Sequence, residues 1–132
     1  MSVSGPVGYA FNRTRKTYLA TQLSVAGTYW SRLRGLMCSN AVNFGTGQGL
    51  WIVPSRGVHT LAMRFPIDVV YLNGEKVVIY MKENLKPWRV APVQMRTSSV
   101  LELPGNSLRQ TQTQVGDEIE ISVGEVREVN QQ

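Results

Sequence analysis

The stretch Ile67-Asp68-Val69-Val70-Tyr71-Leu72-Asn73-Gly74-Glu75-Lys76-Val77-Val78-Ile79-Tyr80-Met81-Lys82 decides the fold class. Two apolar, β-branched and aromatic runs flank Asn-Gly, the strongest short-range hairpin signal. It predicts strands over Ile67 to Leu72 and Lys76 to Lys82, joined at Asn73-Gly74-Glu75. Working outward, further short strands are expected over Val7 to Phe11, Thr17 to Val25, Leu50 to Pro54, Val58 to Met63, Ser99 to Leu103 and Glu118 to Val123. The polar cluster Asn12-Arg13-Thr14-Arg15-Lys16 gives the first two a hairpin turn with a basic tip. Thr28 can cap a helix over Tyr29 to Met37, in which Trp30, Leu33, Leu36 and Met37 share a face. Asn106 to Gln112 reads as a second helical turn, and residues 83–96, with Pro87 and Pro92, as a long loop. The pattern predicts a β-rich α+β domain: a compact, curled, antiparallel-rich sheet approaching a small barrel or sandwich, with one or two short helices.

Composition agrees with one packed domain over 1–132, its ordered core about 7–123 and its tail, 124–132, polar. The 132 residues are 42% hydrophobic and 17% charged, which suits a buried core and excludes a disordered tail. A single cysteine, Cys38, cannot form an internal disulfide, and the N-terminus lacks the layout of a signal peptide. The expected location is therefore the cytoplasm, with no membrane anchor.

Charge is unevenly placed along the chain. No acid precedes Asp68, so residues 1–67 carry +7 and residues 68–132 carry −2. Arg13, Arg15, Lys16, Lys86, Arg89 and Arg96 are the candidates for an anion- or nucleic-acid-binding surface. No RNP, KH or helix-turn-helix pattern accompanies them, so nucleic acid is not the expected partner. The glycine-rich run at 43–49 lacks the Lys-Ser/Thr and following helix of a phosphate loop, and its glycines are assigned to turns.

The densest set of chemically useful side chains is Trp51, Arg56, His59, Thr60, Met63, Arg64 and Asp68. His59 and Met63 fall about 13 Å apart along a strand, too far to share one metal ion. With one His and one Cys in the chain, no metal site and no cofactor are expected. Asp68 enters an apolar strand and needs a partner, for which Arg34 and Arg64 are candidates. Glu102, between Leu101 and Leu103, poses the same problem. Should Arg34, Asp68 and Glu102 converge with His59, they would form a polar site lined by Trp51 and Met63. The expected function is a non-enzymatic module binding a small molecule or a protein at Arg34, Trp51, His59, Met63, Asp68 and Glu102. A small hydrolase or transferase using His59 with Asp68 is the alternative, and an electrostatic nucleic-acid or anion binder the second.

Arg34-Gly35-Leu36-Met37, then Val58-His59-Thr60-Leu61-Ala62-Met63-Arg64-Phe65-Pro66-Ile67-Asp68-Val69-Val70-Tyr71-Leu72, then Val100-Leu101-Glu102-Leu103-Pro104-Gly105 and Val115-Gly116-Asp117 resemble one family in order and spacing. That prokaryotic family is domain of unknown function 192, and the resemblance covers roughly residues 15–123. The matching positions are Arg34, Gly35, Met37, His59, Met63, Pro66, Asp68, Glu102, Gly105, Gly116 and Asp117. Where Leu61 and Cys38 stand, relatives often carry an aromatic and a small residue. The resemblance implies a single compact β-rich domain and assigns no activity, cofactor or partner.

Overall fold

The Asn73-Gly74 hairpin forms, but its strain falls elsewhere than on Asn-Gly. In the computed structural model, which describes residues 8–27, 45–57, 65–86 and 92–124, strand Ile67–Leu72 pairs antiparallel with Val78–Leu85. The Asn73 carbonyl accepts from the Lys76 N–H at 2.9 Å, and the Asn73 side-chain oxygen accepts from the N–H groups of Glu75 and Val77 at 2.9 Å each. Lys76, with φ 62°, takes the left-handed position that closes this three-residue loop. A two-residue Asn-Gly turn would have required left-handed backbone at Asn73 and Gly74 instead.

In chain order the strands are β1 (Gly8–Asn12), β2 (Thr17–Gly27), β3 (Gln48–Val53), β4 (Ile67–Leu72), β5 (Val78–Leu85), β6 (Ser99–Pro104) and β7 (Ile119–Ser122). One short helix, α1 (Ser107–Thr111), follows β6 among the described residues. The strands form a single sheet in the order β5-β4-β6-β3-β2-β1-β7. All pairs are antiparallel except β2 with β3, which run parallel. A bridge between Val77 and Glu118 ties the start of β5 to the start of β7, so the two ends of the sheet approach and it curls into a half-barrel.

Several boundaries move from their sequence expectation. β5 runs to Leu85, into what the prolines marked as loop from residue 83, because Leu85 is buried opposite Ile67. β3 begins at Gln48, inside the glycine-rich run. Gly47, with φ 90°, offers its carbonyl to the N–H groups of Thr21 and Gln22 at 2.8 and 2.9 Å and so starts the parallel pairing with β2. The helix expected over Tyr29 to Met37 and the strand expected over Val58 to Met63 lie outside the described residues.

Alternation along the strands divides the core into two clusters, one on each face of the sheet. The inner cluster contains Ala10, Leu19, Leu23, Val70, Leu72, Leu101, Leu103 and Ile119, with Leu108 of α1 packed into it. On the outer face are Ile52, Ile67, Val69, Tyr71, Leu85 and Val100. All six residues of β4 are buried, as expected of a strand covered on both sides. This two-sided burial sets up the question of the two acids in β4 and β6.

Candidate functional site

Asp68 is fully buried in β4 and points to the inner face with Val70 and Leu72. Its carboxylate is satisfied by backbone. One oxygen accepts from the Asn84 N–H at 2.8 Å and the Asn106 N–H at 3.2 Å; the other accepts from the Leu108 N–H at 2.8 Å. These donors come from β5, from the turn after β6, and from the first turn of α1. The β4–β5 register slips by one residue here, with Ile67 opposite Leu85 but Val69 opposite Lys82. Asn84, at φ 49°, turns its freed N–H onto Asp68 across this bulge. Asp68 therefore locks three segments together. The arginine partner expected from sequence is replaced, among the described residues, by these backbone donors.

Gly105 completes the same junction. A Cβ there would lie 2.6 Å from the Asn84 side-chain oxygen and 3.4 Å from the Pro66 carbonyl. The Asn84 amide in turn donates to the Asn106 side chain at 3.2 Å.

A second buried polar cluster sits where the β1–β2 turn meets β7. Asn12 donates to Thr113 and Asp117, and accepts from the N–H groups of Thr14 and Arg15. Asp117 also accepts from the Gln114 N–H at 2.9 Å and the Arg15 guanidinium at 3.1 Å. Burial alone would raise the Asp117 carboxyl, but the bonds from Asn12, Gln114 and Arg15, with the Arg15 charge, hold it below the ordinary carboxylate range. Arg15 is thus committed to the fold. Arg13 and Lys16 are exposed on the same turn, whereas Lys86 follows β5 and Arg96 precedes β6. These cations come from separate elements, and Arg89 lies outside the described residues.

Glu102 is the acid left without an account. It is 4% exposed, and among the described residues no hydrogen bond or ion pair reaches its carboxyl. Its cross-strand partners are Leu50 on β3 and Val69 on β4. Burial raises its pKa to about 7. Asp68 pairs across the sheet with Leu103, one step away, so Asp68 and Glu102 point to opposite faces and do not converge. Trp51 pairs with Leu101 and packs on the inner face, with the Lys76 ammonium 5.7 Å from its ring centroid and its indole N–H buried without an acceptor among the described residues. Arg34, His59 and Met63 lie outside the described residues. Among the described residues, no group of three or more His, Cys, Asp or Glu side chains is placed to hold a metal ion.

The pattern of the family DUF192, described as an uncharacterized ACR, matches residues 10–121. The chain belongs to the DUF192 family. A UPF0127 protein of Thermococcus sibiricus is 28% identical over 121 residues, covering 88% of this chain and 76% of the relative. One from Pyrococcus abyssi is 26% identical over 120 residues, covering 86% and 97%. A crystal structure of a protein of unknown function from Novosphingobium aromaticivorans superposes with a TM-score of 0.72 at 17% identity, over 90% of this chain and 94% of that one. That likeness shows the fold.

Within this DUF192 domain, the resemblance-bearing positions separate by task. Asp68 and Gly105 hold the β4–β5–α1 junction, and Asp117 holds the turn into β7. Among the described residues, no hydrogen bond gives Glu102 a comparable structural task. The signal that distinguishes Asp68 from Glu102 is absent locally, since each is one acid in an apolar strand. No local signal marked Asn12 as the center of a buried network either.

Proposed function

We propose that this DUF192 domain is a non-enzymatic ligand-binding module and that the Glu102 carboxyl is its recognising group. The observation that carries this is the burial of Glu102 between Leu50 and Val69 without a partner among the described residues. An unpaired buried carboxyl costs several kcal/mol against an apolar residue of similar size. Its retention at the middle of a sheet is accounted for by a ligand that supplies the missing contact. Asp68 supports binding over hydrolysis. A His-Asp pair needs a carboxylate free to orient the imidazole, and the Asp68 oxygens already hold three backbone N–H groups.

The test compares the native and denatured intact masses of wild-type and Glu102→Gln protein, purified from the natural host without denaturant. A small molecule retained by wild type and lost from Glu102→Gln supports the reading. Equal retention by both puts the site elsewhere and overturns it, as does turnover of a retained compound by the wild type.

A further inference from the structure

We infer that the chain carries a further binding site, apart from Glu102, in a cleft along edge strand β5, and that this cleft takes a small organic anion, a carboxylate or phosphate on a planar apolar body. The inference does not rest on the Glu102 reading. Three observations lead to it.

The first is space. β5 is the outermost strand of the sheet, and a cleft of about 460 Å³ lies along it. Tyr80, Lys82 and Leu85 line the cleft from β5, with Lys86 just beyond the strand and Pro92 from the segment that follows. Volumes of this order hold small ligands.

The second is a braced apolar wall. Tyr80 stands opposite Tyr71 and Leu85 opposite Ile67, and all four belong to the outer face of the sheet. The fully buried Tyr71 ring meets Tyr80 edge-on, with centroids 4.9 Å apart, and the Tyr71 hydroxyl donates to the Pro92 carbonyl. One buried ring thus fixes both Tyr80 and Pro92, so the cleft is shaped before any ligand arrives. A ring, a leucine and a proline offer a planar apolar body its contact surface.

The third is charge. Lys82 stands opposite Val69 on the same face as Tyr80, and both Lys82 and Lys86 are exposed. Glu83 is the acid among the lining residues, and the Arg109 guanidinium of α1 lies 3.7 Å from its carboxylate. The Asn84 N–H and side-chain amide are committed to Asp68 and Asn106. Ammonium groups beside an apolar wall, with the neighbouring acid balanced by an arginine, attract an anion and disfavour a cation. Lysines and the bulge at Asn84 also hinder strand addition at this edge, which favours a small ligand over an extended peptide.

The experiment is an amide nuclear magnetic resonance titration with naphthoate, naphthyl phosphate, naphthalenemethanol and inorganic phosphate, which reads affinity and location together. At least one of the two naphthyl anions should give saturable shifts centred on Tyr80 to Lys86, and the better of them names the headgroup. The neutral alcohol should bind at least about tenfold more weakly, and Lys82→Gln with Lys86→Gln in one chain should weaken the anion by about the same factor. Glu102→Gln should leave anion binding unchanged. Absent or displaced shifts, equal affinity for the alcohol, or unchanged affinity in the double lysine variant each overturn the site. Inorganic phosphate bound as tightly as naphthyl phosphate overturns the apolar part of the assignment. Loss of anion binding in Glu102→Gln overturns the separation of the two sites.

Discussion

Asp68 and Glu102 lie one register step apart on adjacent strands and point to opposite faces of the sheet. Each is a single carboxyl inside an apolar strand. One is closed by three backbone N–H groups and the other, among the described residues, by nothing. Their substitutions should therefore behave in opposite ways.

Asp68→Ala strands the buried Leu108 N–H and releases α1 and the β5 bulge from β4. The expected loss is about 3 kcal/mol or more. Asp68→Asn recovers part of it, since its amide turns one acceptor into a donor facing another donor. Urea unfolding of the two variants measures this, and wild-type stability in Asp68→Ala would exclude the lock.

Glu102 should make the fold less stable as pH rises. Its pKa is about 7 in the fold against an ordinary 4.5, so the folded state holds the proton more tightly and stability falls between those two values. The full change is about 3 kcal/mol. Glu102→Gln should abolish this slope and exceed wild type in stability above pH 7. Denaturation midpoints from pH 4.5 to 8.5 provide the check, and parallel profiles for the two proteins would contradict it.

The Asn12 network should respond in the other direction. Asp117 is held below its ordinary pKa, so its contribution is fully present above the unfolded value of 3.8 and is lost as pH falls through the lower folded value. Asn12→Ala removes bonds to two buried groups and should cost about 2 kcal/mol. Arg15→Ala should cost under about 1 kcal/mol, because the Arg15 side chain is 34% exposed and its ion pair is screened. Thermal unfolding of both variants would decide, with a larger loss in Arg15→Ala refuting this ranking.

Gly105→Ala should destabilise the β6–α1 junction by about 1 kcal/mol, since the Asn84 side chain must swing away from a methyl group 2.6 Å from its oxygen and gives up its bond to Asn106. Asn84→Gly in the same chain should recover most of that loss. It removes the obstructing oxygen and suits the left-handed backbone at residue 84. A double-mutant cycle measures the recovery, and additive losses would place the clash elsewhere.

Much of the secondary structure was legible in the residues themselves. The apolar run at Ile67–Leu72 is a strand with the bounds the sequence implies, the turn chemistry at Asn12–Lys16 and Asn73–Glu75 marks real chain reversals, and Pro104–Gly105 marks the end of β6. Lys76 was not legible as the left-handed residue, because Asn73 uses its side chain to accept two N–H groups and shifts the turn by a position. The bulge at Asn84 was hidden for a related reason. It exists to deliver an N–H to a carboxylate 16 residues away.

Strand alternation, turn residues and the balance of apolar to charged side chains act within a few residues, and they determined that this chain makes a curled, β-rich sheet with short helical content. The parallel β2–β3 pairing, the Val77–Glu118 bridge that curls the sheet, and the face each acid occupies depend on which strands meet and in what register. A shift of one residue reverses every side chain on a strand. Asp68 and Glu102 are therefore equivalent along the chain, and tertiary register made one a lock and left the other, among the described residues, a buried carboxyl without a partner.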